Sequence, residues 1–419
     1  MQGFALATVY LLATLAGLAA GVLTGVLPGL HINLVAVMAA SLVSASAAGA
    51  ALPGPVSLLA VAAFILAMSI SHVFHDFLPT IFLGVSESES ALAVMPGHRL
   101  LLRGLGRKAI MLAAFGALSG VMAIIALTPL LVAAIKPVFA FVSSYIWLVL
   151  IIIAAFQISR ARSIKAAAAN TFIFCLSGVF GLAVFNMPNL SQPLLPMFSG
   201  LFGLSSLAGG LLKQSSIQEQ ESKAEIRVVK KRHVAKYVAV GLLSSSFMGL
   251  FPALGPAQAS MLGTGVLRKT RAEAYIFLLG VISSASMLFA LLTLYAFGKA
   301  RNGSIAVIGS ILNTANAFPA NTLILLIAVA FVAAALSCIS TLWLSRMFAV
   351  MMRKISYRLL SLLVMVFVIF IVAAFSGLTG LLVLAVATAI GLSALLAKSS
   401  RQLLMGCLMV PVIGYYVIA

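Results

Sequence analysis

Long apolar runs separated by short polar breaks fill most of the 419 residues, and many of them reach the roughly 20 residues a helix needs to cross a bilayer. The runs predict full spans at 56–84, 109–134, 138–158, 166–187 and 190–212, then at 274–298, 321–345, 359–375, 378–397 and 402–418. Five fall on either side of a polar stretch at 213–236. Each set of five is preceded by a broken pair, 4–27 with 31–48 and 237–250 with 257–267. The breaks read "GVLPGLHINL" at 25–34 and "FPALGPAQAS" at 251–260. Arms of 14 and 11 residues in the second pair reach only about 21 and 16 Å at helical rise, which suits a re-entrant hairpin. For residues 4–48 a re-entrant hairpin and two full spans both remain open.

Composition agrees with this pattern. Hydrophobic residues make up 63% of the chain and charged residues 8%, the make-up of an all-α polytopic membrane protein. No basic residue precedes the first apolar run, so 4–27 reads as a retained membrane helix and not as a cleaved leader. Cys175, Cys338 and Cys407 are isolated, which fits neither a disulfide framework nor a metal motif.

A formal charge of +19 is compatible with a nucleic-acid partner, but the bases are confined to short loops. No lysine or arginine precedes Arg99; clusters then occur at 99–108, 160–165, 213–236, 268–271, 346–358 and 398–401. This placement follows the positive-inside rule, so the charge reports topology and argues against nucleic acid. A hairpin returns the chain to its starting side and five spans reverse it, so the two halves are expected to be oppositely oriented. With the N-terminus outside and linker 213–236 cytoplasmic, every basic cluster faces the cell interior, with Lys136, Lys299 and Arg301 left as strays. The expected organisation is a first inverted repeat at 1–212, the linker, and a second repeat at 237–419. Oppositely oriented halves with interrupted segments in matching places are the pattern of secondary transporters in a cell membrane.

The breaks suggest a chemistry. Where a helix restarts inside the membrane, its first N–H groups lack partners and carry the positive end of the helix dipole, a setting for an anion. In the first half Pro28 and Gly29 open the chain and His31 and Asn33 offer polar contacts. In the second, Pro252 begins the break, Pro256 is placed to start the new helix, Gly255 permits close approach and Gln258 can donate. The competing reading is a pair of packing kinks. Near the second set of spans, "GKARNGS" carries Arg301 and Asn302, placed to attract an anion from outside or to meet lipid headgroups.

"PGLHINL" and "PALGPAQAS" resemble the two Pro-Gly-rich motifs of the TctA family, the permease subunit of tripartite tricarboxylate transporters. Residues 84–110, "GVSESESALAVMPGHRLLLRGLGRKAI", are similar to the family's stretch with a Pro-containing turn, a basic pair and a Gly-rich helix start. The resemblance covers both halves, although "SESES" replaces a Gly-Pro-rich motif and a Glu-Ala-Asn motif has no clear copy. It implies import of a carboxylate anion together with a small membrane subunit and an extracytoplasmic binding protein.

Acidic residues are few. Asp76, Glu87 and Glu89 gather at the inner end of span 56–84, where they read either as a helix cap with first-turn acids or as a site for a coupling proton or Na+. His72, His75 and Asp76 are spaced i, i+3 and i+4 on one helical face. That spacing permits proton handling or metal binding, but no further His or Cys cluster completes a metal site and no cofactor is expected. An intramembrane enzyme lacks a recognisable nucleophile and base. The expected function is a secondary carrier of a small organic anion, not an enzyme; the alternatives are a carrier or flippase for a lipid-linked phosphate and, less readily, a channel. Membrane lipids are expected neighbours, and a homo-oligomer is compatible with the sequence.

Overall fold

The computed structural model describes residues 2–27, 32, 35–36, 39, 54–82, 94–143, 145–159, 161, 163–188, 190, 193–212, 231–250, 259–260, 263, 267, 271–298, 302–312, 318–352 and 357–418; among them it is helical with no strand. The first half holds α1 (Gln2–Val26), α2 (Gly54–His75), α3 (Phe77–Phe82), α4 (Val94–Leu101), α5 (Gly106–Ser143), α6 (Ile146–Ser159) and α7 (Ile164–Phe185). It closes with α8 (Leu194–Phe198), a π turn (Ser199–Leu204) and α9 (Ser205–Leu212). The second half holds α10 (Lys231–Leu250), α11 (Ala272–Phe297), α12 (Gly303–Ile311), α13 (Ala320–Met352) and α14 (Tyr357–Leu396). A 3-10 turn (Arg401–Met405) then leads into α15 (Gly406–Ile418). Seven stretches among the described residues are long and apolar enough to cross a membrane.

Most expected spans appear within a few residues of their expected ends. Three boundaries differ, one of them the end of α13, which runs to Met352 and not to 345. The expected break at Lys136-Pro137 is absent: α5 runs through Pro129 and Pro137, and the chain turns only beyond Ser143. A proline removes its own donor and crowds the carbonyl of the preceding turn, yet membrane helices accommodate prolines through local adjustment of the backbone. Another difference is α10, which starts at Lys231 and not at 237, because lysine and arginine extend a helix readily. Its 20 residues span about 30 Å, so the short-arm argument for a re-entrant form does not hold for this arm. The break between 375 and 378 occurs as expected: α14 is kinked at Gly377, where φ is 61° and ψ −159°.

Glycines set the helix directions. Along α1, Gly17, Gly21 and Gly25 face Phe64, Met68 and His72 of α2 in that order, so α1 and α2 run parallel. Gly241 and Gly249 of α10 face Val281 and Phe289 of α11, again parallel. Each pair therefore starts on one side of the bundle: α1 with α2, and α10 with α11. Within the intervening stretches, 27–53 and 251–271, Ile32, Val35, Ala36 and Ala39 are helical, with Ile32 and Ala36 buried; Ala259, Ser260, Gly263 and Leu267 are helical too. A Cβ on Gly263 would lie 3.0 Å from Ser244 Oγ and 3.1 Å from Val240 Cγ1, which sets this stretch beside α10.

The halves pack reciprocally. α2 lies against α13 while α5 lies against α11, and α7 meets α15 while the π turn and α9 meet α14. Gly116 and Gly120 of α5 face Phe277 and Val281, so α5 and α11 are parallel and their first turns meet in the Lys108–Glu273 ion pair at 3.0 Å. α11 is the buried axis of the bundle. Outside, Leu12, Phe141, Phe172, Val366, Phe370 and Leu378 are exposed, an apolar exterior suited to lipid.

Candidate functional site

Polar side chains collect at the centre of this apolar bundle along α2. Ser69, Ser71, His72, His75 and Asp76 are all buried within a stretch otherwise made of Ala, Ile, Leu, Met, Val and Phe. Ionisable groups at such depth are costly unless they are hydrogen-bonded, and in membrane proteins they mark ion and substrate pathways. Asp76 sits at the turn between α2 and α3, but the helical ladder continues through it: its N–H donates to the His72 carbonyl at 2.8 Å, and its carbonyl accepts from Thr80 at 3.2 Å. Its carboxylate accepts from the Thr80 hydroxyl at 3.4 Å.

Both imidazoles are anchored by neighbouring helices. His75 Nδ1 lies 2.7 Å from the Ser71 carbonyl and Nε2 lies 2.9 Å from Ser340 Oγ on α13. His72 Nδ1 lies 3.1 Å from Thr24 Oγ1 on α1. Ser71 Oγ donates to the Leu18 carbonyl at 2.9 Å, stitching α1 to α2 one turn earlier. The approach is close because Gly25 has no side chain: a Cβ there would lie 2.7 Å from His75 Cβ and 2.9 Å from the His72 carbonyl oxygen. One residue beyond Gly25, α1 ends and the Pro-Gly break follows. The i, i+3, i+4 spacing thus brings His72, His75 and Asp76 to one buried place, at the mouth of the first break.

Asn302 caps a helix. Its side-chain oxygen accepts from the Ser304 N–H at 3.0 Å and from the Ser304 hydroxyl at 2.9 Å, the N-cap of α12. Ser304 in turn accepts from Ser69 at 2.8 Å, which ties that cap to α2. Pro28, Gly29, His31, Asn33, Glu87, Glu89, Pro252, Gly255, Pro256, Gln258 and Arg301 lie outside the described residues. Just after the second break, Ser260 Oγ lies 3.0 Å from the Tyr275 hydroxyl, and Tyr275 also hydrogen-bonds Gln402. Among the described residues no group of three or more His, Cys, Asp or Glu could hold a metal ion.

Arg401, read from the sequence as a loop base, is buried. Its guanidinium donates to the Phe202 carbonyl at 3.1 Å, to Ser205 Oγ at 3.4 Å and to the Ser206 hydroxyl, pinning the 3-10 turn onto the π turn. Thr24 and Ser340, the anchors of the two imidazoles, carry no motif that separates them from other hydroxyls in apolar helices. The spacing around the breaks does carry a signal. Gly17, Gly21, Gly25 and Pro28 have the same intervals as Gly241, Ser245, Gly249 and Pro252, a small-residue stripe leading to a proline in each half.

Comparison with known proteins gives the context for this site. A sequence profile described as the tripartite tricarboxylate transporter TctA family matches residues 11–406. The chain is also 27% identical over 418 residues to a Methanocaldococcus jannaschii protein named "Uncharacterized protein MJ1079", covering 97% of this chain and 98% of that one. No solved structure matches. The profile covers nearly the whole chain, and a transporter component is in keeping with a polar cluster buried inside an apolar bundle: the chain belongs to the TctA family of tripartite tricarboxylate transporters.

Proposed function

We propose that the protein is a secondary carrier of a carboxylate anion, working by alternating access. The substrate is held near the bilayer midplane between the two Pro-Gly breaks, and its movement is coupled to a proton or Na+ at the α2 cluster. The observation that carries this reading is the buried His72, His75 and Asp76 group packed against Gly25, at the mouth of the first break. Ion coupling needs a titratable or charged group that both the substrate site and the moving helices can sense, and this group touches α1 and α13 together.

An inverted repeat is supported by the shared small-residue stripe, by the parallel pairs α1 with α2 and α10 with α11, and by the reciprocal packing of the halves. In this arrangement the N-terminus faces outside and 213–236 faces the cytoplasm of a cell membrane. Pro28, Gly29, His31 and Asn33 face Pro252, Gly255, Pro256 and Gln258 across the substrate, and Arg301 draws anions toward it. Glu87 and Glu89 extend the coupling site. A small membrane subunit and an extracytoplasmic binding protein complete the system.

The test is uptake by proteoliposomes containing the purified chain, with and without its accessory subunits. Labelled citrate, shorter carboxylates and inorganic phosphate are presented under imposed proton or sodium gradients. Saturable carboxylate uptake accelerated by one gradient is the expected result. Non-saturating conduction overturns the carrier mechanism. Movement of a lipid-linked phosphate with no carboxylate uptake under either gradient replaces the substrate class.

A further inference from the structure

His75 joins the two halves of the chain through a titratable side chain. Its Nδ1 faces the Ser71 carbonyl at 2.7 Å, and a carbonyl only accepts, so this nitrogen carries a hydrogen. Nε2 faces Ser340 Oγ at 2.9 Å, and Ser340 Oγ also lies 3.1 Å from the Ser337 carbonyl. The single hydroxyl hydrogen of Ser340 thus has two acceptors within reach. With a neutral ring it points at Nε2. When Nε2 binds a proton, the ring donates to Ser340 Oγ, and the hydroxyl hydrogen turns to the Ser337 carbonyl. One proton enters, one positive charge appears on the ring, and every polar hydrogen keeps a partner without movement of a heavy atom.

We propose that His75 carries the coupling proton and that Ser340 is the positioning residue that accepts its protonated form. Protonation then turns the contact between α2 and α13 into a charge-assisted hydrogen bond, and release of the proton weakens it. This rests on the reading of the α2 cluster as the coupling site and specifies its ion and its partner helix. Among the described residues few other titratable groups surround it. On α2 is His72, held by Thr24, and just beyond its end Asp76, which accepts from Thr80. α13 contributes Cys338, whose thiol lies 4.0 Å from the Ala114 carbonyl, and further along Arg346. The facing turn of α1, Gly21 to Gly25, contributes none, and neither α3 nor α12 contains one. Among the described residues, Arg107, Lys108 and Lys136 on α5, with Glu273, Tyr275 and Tyr295 on α11, complete the set, and Lys108 is paired with Glu273.

The test reads protonation directly and needs no substrate. The full-length protein is labelled with 15N-histidine in lipid nanodiscs, and its five histidines are titrated by NMR from pH 3.5 to 9. One buried imidazole is expected to keep Nδ1 protonated throughout and to gain a proton at Nε2 on acidification. Its signal should vanish in His75→Gln. In Ser340→Ala its midpoint should fall by about one pH unit, since the charged form loses more than the neutral one, and Ser340→Thr should restore it. The shift in Ser340→Ala identifies the signal even if His75→Gln does not fold. A His75 that never changes protonation, or a midpoint indifferent to Ser340→Ala, overturns this inference whatever the uptake assay gives. Failure of carboxylate uptake with a titrating His75 overturns the carrier reading instead.

Discussion

Gly25 shows how much of the site depends on an absent side chain. Its neighbours on α2 are the Cβ of His75 and the carbonyl of His72, so any Cβ must push α1 away from the two imidazoles. Gly25→Val is expected to cost about 1–3 kcal/mol through overpacking and to break the bond of His72 to Thr24. Thr24→Val keeps the shape and removes only the hydroxyl, and should cost less, about 0.6 kcal/mol, the average for such bonds in membranes. Thermal unfolding in detergent, followed by tryptophan fluorescence, would rank the two; a Gly25→Val protein as stable as the parent would contradict the close packing. The i, i+3, i+4 spacing of His72, His75 and Asp76 was legible in the sequence because a helix repeats locally. Their anchors were not: Ser340 lies 265 residues from His75, and only the packing of α2 on α13 selects it among many hydroxyls.

At the scale of elements, the ends of helices depend on backbone preferences that hydropathy does not report. Gly377 kinks α14 at φ 61°, and a Cβ there would meet nothing within 4 Å, so glycine is needed for its conformation and not for room. Gly377→Ala should therefore destabilise by about 1–3 kcal/mol despite the open space. Gly414, inside α15 with equally open surroundings and no positive φ, is the control: Gly414→Ala should be neutral or stabilise by up to about 1 kcal/mol. Equal midpoints for the two alanine variants would remove the conformational argument. The same contrast explains why a break at 375–378 was visible in the sequence while one expected at Pro137 did not form. A glycine in a left-handed conformation redirects the chain, whereas a membrane helix accommodates a proline's lost donor and steric crowding by local adjustment.

For the whole molecule, the basic loops and the count of spans make a topological statement that labelling can check. Single cysteines at 50 and 223, in a protein lacking Cys175, Cys338 and Cys407, should react with an impermeant maleimide from opposite faces of oriented vesicles. Reaction of both from one face would sink the opposed orientation of the halves.

The sequence by itself determined what depends on local, additive properties. Transfer of apolar residues into hydrocarbon marked the spans, exclusion of cations from it placed the basic loops, and the Pro-Gly breaks stood out against both. Tertiary structure alone decided which polar groups meet. It used Asn302 to cap α12, and it buried Arg401 against the π turn in place of leaving it in a loop. It also set Ser69 against Ser304, 235 residues away, and His75 against Ser340. In lipid, helices associate through close packing of small residues and through the few hydrogen bonds this permits, so a polar side chain's partner follows from the register of neighbouring helices and not from its own segment.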